Sequence, residues 1–258
     1  LRRGRFSKAE PYLRHAQKVL YKRNPNPYDG EPLYNLALTL RYQGMLHEAY
    51  EWFWKAAWSY AWRRAALYQA ACISVKEGRF EDALEEINSS LACNSRNHKV
   101  LALKATMLRL AGRKDEALSV CQKSKQLDLF NYGCRYEEYL LTGDKAVLDD
   151  LINLMHKQFN NYDELALDYW RCGQNEVAAD IWQLADDNGA TTAMTYYYMG
   201  LAGKEEGFDL GAKACSDYCF PNRLEAILAL QAAIDHNAED AKAHYYLGTL
   251  YYGARQYD

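Results

Sequence analysis

The sequence predicts an all-α fold, a solenoid of stacked antiparallel helix pairs, and three regular features carry the prediction. Glycines recur every 34 residues at Gly44, Gly78 and Gly112. Each glycine is followed after five residues by an alanine and is preceded at seven residues by another. Apolar residues between these anchors follow the spacing of a helix face. A fixed period of about 20–50 residues is the signature of repeat architectures, so each segment is predicted to be one structural unit.

Each predicted unit consists of two helices joined by a short turn. The three clearest copies read LYNLALTLRYQGMLHEAYEWFWKA, LYQAACISVKEGRFEDALEEINSS and LALKATMLRLAGRKDEALSVCQKS. Glycine in the turn can adopt backbone angles that cost other residues energy. A small side chain where two helices cross lets their backbones approach closely. The repeated alanines at these crossings are Ala37, Ala49, Ala71, Ala83, Ala105 and Ala117.

This pattern of small residues resembles the tetratricopeptide repeat (TPR), a family of helical repeat proteins. The family places an aromatic or apolar residue four positions after the second small residue, and this chain has Phe53, Ile87 and Cys121 there. The resemblance implies a right-handed superhelical solenoid whose first helices form a concave surface. Proteins of this family commonly bind extended peptides on that surface, so the resemblance also implies a protein or peptide partner.

The register extends beyond the three clear copies, so residues 1–258 are predicted to form a single solenoid with partial repeats at both ends. Two insertions interrupt it, near 21–32 and 207–222. The first contains two Asn-Pro steps, which favour extended backbone and predict an ordered arm. The second separates the two helices of one repeat. It is interpreted either as a recognition loop or, preferably, as a loop that covers an apolar edge.

Two short strings suggest a closer resemblance. RNPNPYDGEPLYNLAL and YCFPNRLEAI look like the C-terminal repeat region of large bacterial proteins that carry domain of unknown function 5107 at their N-terminus. Such proteins tend to be associated with carbohydrate use, and the N-terminal domain is thought to be β-rich. The resemblance implies that this chain is a fragment of a larger bacterial protein whose native N-terminus is not seen. It assigns no catalytic residue.

Four of the six tryptophans lie in the segment EWFWKAAWSYAW, residues 51–62. A helix over about 45–61 would place Phe53 on the core face and three of these tryptophans in a stripe away from it. The stripe consists of Trp54, Trp58 and Trp62. Large apolar patches usually mark interaction sites. Three covers for the stripe are open: the arm with Tyr21 and Tyr28, the preceding part of the protein, or an outside molecule.

The TPR resemblance places a second set of candidate partner-binding residues on the concave surface. Aromatic side chains there would supply contact area, and arginine or lysine would meet carboxylates. The candidates are Tyr34, Leu38, Arg41, Tyr42, Tyr68, Lys76, Arg109, Trp170, Arg171, Lys204, Tyr245 and Tyr252.

Composition and charge limit the classes of function that the chain could have. The 258 residues carry a net charge of −3, which argues against nucleic-acid binding, and no apolar run is long enough for a membrane span. Seven scattered cysteines fit free thiols in a reducing compartment, so a cytoplasmic location is predicted. Residues 1–23 carry eight Lys/Arg against one acid, and residues 128–187 are acidic. These charges could steer a partner or a second copy, although solvated helix faces explain them more simply.

No motif for chemistry stands out. The six histidines lack the spacing of a zinc-protease motif, and no phosphate-binding loop is present. Cys215 and Cys219 lack the second ligand pair of a structural zinc site. The prediction therefore contains no catalytic, cofactor-binding or metal-binding residue, and the chain is not expected to be an enzyme.

The leading hypothesis is a non-catalytic docking scaffold for a protein or peptide, which includes the remaining part of its own protein. The alternative is the solenoid part of a bacterial carbohydrate-active or sugar-binding protein whose chemistry lies in an N-terminal domain outside this chain. Self-association is a third role that the sequence leaves open.

Overall fold

A computed structural model of the chain describes residues 1, 4–22, 24–25, 27–217 and 219–253. Within these ranges the chain forms fifteen α-helices and no β-strand. In chain order they are α1 (Phe6–Tyr21), α2 (Glu31–Tyr42), α3 (Leu46–Ala56), α4 (Tyr60–Lys76), α5 (Phe80–Cys93), α6 (His98–Leu110), α7 (Lys114–Leu127), α8 (Tyr132–Thr142), α9 (Lys145–Met155), α10 (Phe159–Arg171), α11 (Asn175–Asp187), α12 (Ala193–Leu201), α13 (Glu206–Lys213), α14 (Leu224–His236) and α15 (Ala241–Gly253). None of these helices is long and apolar enough to cross a membrane.

The repeated glycines end their helices in the same way. Gly44, Gly78 and Gly112 have φ of +79°, +72° and +73°, a region that residues with a Cβ rarely adopt. In each turn the N–H that follows the glycine bonds to the carbonyl five residues back, as Met45 N does to Leu40 O at 3.0 Å. This is the Schellman arrangement that ends a helix. The same turn recurs at Gly173, Gly189 and Gly203.

The anchors predicted for the helix crossings form the core of the clear repeats. All six repeated alanines are fully buried, as are Phe53, Ile87 and Cys121. The helices that share these anchors pack in pairs, α2 on α3, α4 on α5 and α6 on α7. The prediction of an all-α fold built from antiparallel helix pairs is confirmed.

The chain divides into two compact units, one mainly Arg5–Leu154 and the other mainly Met155–Asp258. In the first unit each helix from α1 to α7 packs on the next, and α2, α4, α6 and α8 also contact one another in that order. In the second unit α10 packs on α11, and α12 contacts α11, α13 and α14. One continuous solenoid over residues 1–258 stays a prediction.

The loop expected over 207–222 is wrong in its first half, because its first seven residues belong to helix α13. Phe208 is buried over Gly200 of α12, where an added Cβ would lie 2.4 Å from the phenylalanine ring. Gly207 and Gly211 of α13 also lie against α12. Small residues on both helices permit this close crossing, and apolar burial stabilises α13 as a helix. The helix therefore covers one side of α12.

Replacing Gly207 by alanine is expected to destabilise the second unit by about 1–3 kcal/mol, the usual cost of an overpacked core. The new Cβ would lie 2.6 Å from Tyr196 O and 2.7 Å from Gly200 N, which are backbone atoms with little freedom to move. Gly248→Ala in α15 is the matched control, because nothing lies within 4 Å of its Cβ position. Alanine favours a helix, so the control should keep or gain stability. Equal urea midpoints for the two variants would refute this account of the crossing.

Candidate interaction surfaces

Helix α3 ends at Ala56 and α4 begins at Tyr60, so the helix predicted over about 45–61 is wrong in its last part. Ser59 has the extended backbone of a helix N-cap, with φ −75° and ψ 122°. Its carbonyl accepts the first bond of α4, from Arg63 N at 2.9 Å. No glycine or proline marks this turn and the apolar periodicity runs through it, so Ser59, a residue type common at helix N-caps, is the one sequence signal of the break.

The three tryptophans of the predicted stripe therefore have three different surroundings. Trp54 is half-buried in α3, and its Nε1 donates a 2.9 Å hydrogen bond to Glu86 Oε1 in α5. Trp62 is half-buried in α4, with its ring centroid 4.8 Å from that of Tyr34. Trp58 lies in the turn and is 65% exposed. The prediction of a continuous stripe on one helix is wrong, because the three residues lie in α3, in the turn and in α4.

The arm between α1 and α2 packs at its far end against the turn that holds Trp58. Gly30 is buried at this contact. A Cβ on Gly30 would lie 2.8 Å from Ser59 Cβ and 2.9 Å from Ala56 O. Only a residue without a side chain fits there, so the Gly30–Ser59 contact fixes the arm to the turn.

The arm, one of the three covers left open for the tryptophans, leaves Trp58 65% exposed. Tyr21 packs edge-on against Trp52, with ring centroids 6.4 Å apart, and Tyr28 is 96% exposed. A cleft remains open between the arm and α3, with a volume of about 150 Å³. We name it the arm cleft, and its lining residues are Tyr21, Pro25, Pro27, Lys55 and Trp58.

In the first unit, the aromatic candidates for the concave surface take part in packing inside the unit. Tyr34 meets Phe53 edge-on, with ring centroids 5.6 Å apart. Tyr42 stacks on Phe6 at 4.8 Å, and Tyr68 is half-buried. The rings of Tyr34 and Tyr42 therefore pack against neighbouring helices.

The cationic candidates of the first unit also bond within it, apart from Lys76, which is exposed. Arg41 Nη1 donates a hydrogen bond to Gln69 of α4. Arg109 in α6 donates two hydrogen bonds to Glu137 of α8, from Nε at 2.7 Å and from Nη2 at 3.2 Å. Arg109 was expected to meet a carboxylate of a partner, and the structure supplies that carboxylate from the neighbouring repeat.

The second unit repeats this arrangement around α10. Arg171 donates hydrogen bonds to Asp168 Oδ1 at 2.7 Å and to Glu225 Oε1 at 2.9 Å. Trp170 beside it is half-buried. Tyr245 and Tyr252 of α15 are 65% and 69% exposed, so these two aromatic candidates of the second unit present most of their surface to solvent.

Buried acids are the feature that the sequence interpretation missed. Glu86 and Glu137 are fully buried, and burial raises the pKa of Glu86 above its ordinary value. Asp163 of α10 is buried and accepts a 3.1 Å hydrogen bond from Trp182 Nε1, and burial raises its pKa to about 7. The sequence signal that could have predicted these buried acids is an acidic residue among apolar residues on the core-facing side of a helix, such as Asp163 beside Tyr162.

The cysteines add no metal-binding arrangement among the residues that the structure describes. All seven are free thiols; Cys215 is exposed and Cys219 is buried. Across the described ranges, no group of three or more His, Cys, Asp or Glu residues is placed to hold a metal ion.

Comparison with known proteins places this geometry among repeat folds. No family model matches the chain. A tetratricopeptide repeat protein from Parabacteroides merdae ATCC 43184 superposes with a TM-score of 0.52 at 20% sequence identity, over 96% of this chain and 93% of that one. The fold is a TPR fold.

Two further solved structures show weaker likeness to this TPR fold. YrrB, described as a TPR protein with an unusual peptide-binding site, matches with a TM-score of 0.40 at 16% identity, over 98% of both chains. MamA from Desulfovibrio magneticus RS-1 matches with a TM-score of 0.42 at 18% identity, over 72% of this chain and 87% of that one. The relationship to proteins with domain of unknown function 5107 stays a prediction.

Proposed function

We propose that this chain is a non-catalytic scaffold that docks a protein or peptide segment, supplied by a partner or by another part of its own protein. The TPR fold is typical of interaction scaffolds, because stacked helix pairs create extended binding surfaces. The finer proposal is that docking uses the arm and the turn beside it. The free thiols of all seven cysteines support the cytoplasmic location that we propose with it.

A cluster of exposed aromatic side chains carries this proposal. Trp58 is 65% exposed, Tyr60 is 80% exposed and Tyr28 is 96% exposed. All three lie within two residues in the chain of Gly30 or Ser59, which contact each other, so their backbones lie near this contact. We name them the aromatic cluster. Single exposed apolar residues are ordinary, whereas a group of large aromatic ones on a fixed frame is typical of a binding surface.

A peptide-display selection on the whole chain tests the proposal. Selected peptides are expected to bind a variant with Tyr28→Ser, Trp58→Ser and Tyr60→Ser at least tenfold more weakly, since hot-spot aromatics contribute about 2 kcal/mol or more. The matched control is Tyr12→Ser, which removes a 79% exposed ring of α1 outside the cluster. Failure to select any peptide, or equal binding to the cluster variant, counts against the proposal.

The same exposed rings keep the sugar-binding alternative as a second proposal, because the flat face of Trp58 could stack on a sugar. A titration with soluble oligosaccharides, followed by tryptophan fluorescence, separates the two functions. We expect no change for the wild-type chain. A change that Trp58→Phe abolishes would favour sugar binding instead.

A further inference from the structure

The arm cleft has the composition of a socket for one apolar side chain. Among the described residues that line it, four are aromatic or proline and the fifth is Lys55. Its volume of about 150 Å³ is well below the roughly 300–1,000 Å³ of pockets for drug-sized ligands. An apolar cavity of about 150 Å³ accepts a group of benzene's size. The cleft therefore fits a single leucine or phenylalanine side chain.

The walls of the arm cleft are held in place before any ligand enters. Arg63 Nε donates a 3.0 Å hydrogen bond to Ala57 O, which braces the turn that carries Trp58. On the opposite wall, Pro25 and Pro27 have φ fixed by their rings. A preformed site binds more tightly, because less side-chain and backbone freedom is lost on binding.

Lys55 and Tyr21 are fixed through a common neighbour, Trp52. The Lys55 ammonium nitrogen lies 4.3 Å from the centroid of the Trp52 ring, a cation–π contact. Tyr21 packs edge-on against the same ring. Lys55, the charged residue among the described lining, is thereby held beside the Trp52 ring.

Exposed cations lie close in the chain to the lining of the arm cleft. Lys18 and Lys22 are exposed at the end of α1, on either side of Tyr21 in the chain, and Arg63 is exposed at the start of α4. Together with Lys55, which lines the cleft, they are four cations that lie within five residues in the chain of a lining residue.

The acids nearby are fewer, and two of them are engaged. Glu48 accepts two hydrogen bonds from Arg14, at 2.6 and 2.8 Å. Asp29 Oδ1 accepts the N–H of Glu31 at 2.9 Å. Glu31 and Glu51 are exposed as well, so the four cations outnumber the three acids Asp29, Glu31 and Glu51 by one charge. Such a surface attracts and orients a negatively charged segment.

We propose that the arm cleft binds an acidic peptide segment through one leucine- or phenylalanine-sized side chain, with Lys55 and its neighbouring cations facing the acidic residues that flank this anchor. The inference rests on the proposed scaffold function and names the class of partner. Trp58 closes over the anchor, and the exposed rings of Tyr28 and Tyr60 border the segment on either side.

Fluorescence anisotropy with three labelled peptides and the whole chain tests this inference. One peptide has a central leucine flanked by Asp and Glu, the second has serine in place of leucine, and the third has Lys in place of the acids. The first is expected to bind at least tenfold more tightly than the others, and to weaken with added salt. Trp58→Ala should lose at least tenfold, and Tyr12→Ala should bind as the wild type does.

Reversing the charge of Lys55 tests the inference through tighter binding of one peptide, a result that a misfolded variant would not give. Lys55→Glu is expected to weaken binding of the acidic peptide and to strengthen binding of the lysine peptide, because the charge of Lys55, the charged residue among the described lining, changes sign. The inference is overturned if the acidic leucine peptide fails to bind at about 1 mM, or if Trp58→Ala binds it unchanged. Display-selected peptides that depend on the aromatic cluster for binding but contain no acidic residues would overturn this inference and would still support the scaffold function.

Discussion

Replacing Arg109 by methionine is expected to lower the free energy of unfolding of the first unit by about 3–5 kcal/mol. The guanidinium of Arg109 is paired with Glu137 at 2.7 Å, and the glutamate side chain is fully buried. Removing one partner of a buried ion pair leaves the other charge in a medium that solvates it poorly. Urea unfolding followed by circular dichroism measures the loss.

Two further variants test this explanation for Arg109. The double variant Arg109→Met with Glu137→Leu should recover most of the lost stability, because an apolar pair can replace a buried ion pair at little cost. Thr106, which donates to Glu137 at 2.9 Å, keeps a second acceptor in Ala102 O at 3.1 Å. Arg113→Met breaks an exposed ion pair with Glu116 and should have no resolvable effect. A double variant as unstable as the single one would contradict the explanation.

Asp163→Asn is expected to remove a large pH dependence from the stability of the second unit. Burial raises the pKa of Asp163 to about 7 in the folded protein, against about 3.9 in an unfolded chain. The folded state therefore holds more protons than the unfolded state between these values. The stabilisation is complete below about pH 4, declines as the pH rises, and is lost above about pH 7. At 1.36 kcal/mol per pKa unit, the difference amounts to about 4 kcal/mol.

The asparagine variant keeps the surroundings of Asp163 and removes only its ability to ionise. Its amide oxygen can still accept the hydrogen bond from Trp182 Nε1, and the charge of Arg223, which opposes the pKa shift, is unchanged. The comparison requires urea unfolding at pH 5 and pH 8 for wild type and variant. Asp180→Asn, at an exposed position of α11, is the control and should retain the wild-type slope. A slope that survives in Asp163→Asn would show that another group titrates.

Acidic groups of the first unit also make stability depend on pH. The effect of Asp163 must therefore be measured as the difference in the free energy of unfolding between wild type and variant at each pH. Hydrogen bonds from Arg14 lower the pKa of both Glu10 and Glu48. A lowered folded-state pKa contributes stability above the unfolded pKa and loses it as the pH falls. These groups therefore act in the opposite sense to Asp163, and subtraction of the variant removes their contribution.

Local rules within one repeat allowed the helix pairs to be predicted. A glycine with positive φ ends a helix, and the N–H of the next residue bonds to the carbonyl five residues back, as at Gly44. An alanine permits a close crossing with the next helix in the sequence, as at Ala49. Each rule depends on residues a few positions apart. The paired-helix architecture could therefore be predicted without knowledge of the tertiary structure.

The candidate site depended on contacts between residues far apart in the chain. Periodicity predicted three aligned tryptophans, but the Gly30–Ser59 contact and the N-cap at Ser59 separate them. The same applies to Arg109, whose candidate role as a partner contact gave way to an ion pair with a residue 28 positions away.

By itself, the sequence determined the helix pairs, their glycine turns and the small residues at their crossings, because these are set by backbone angles and side-chain volume at short range. Only the tertiary structure decided which aromatic rings are packed and which are exposed, and which charges are already paired. Those outcomes depend on the neighbouring repeat and on the arm, and side-chain type alone does not encode which distant residue will occupy the adjacent space.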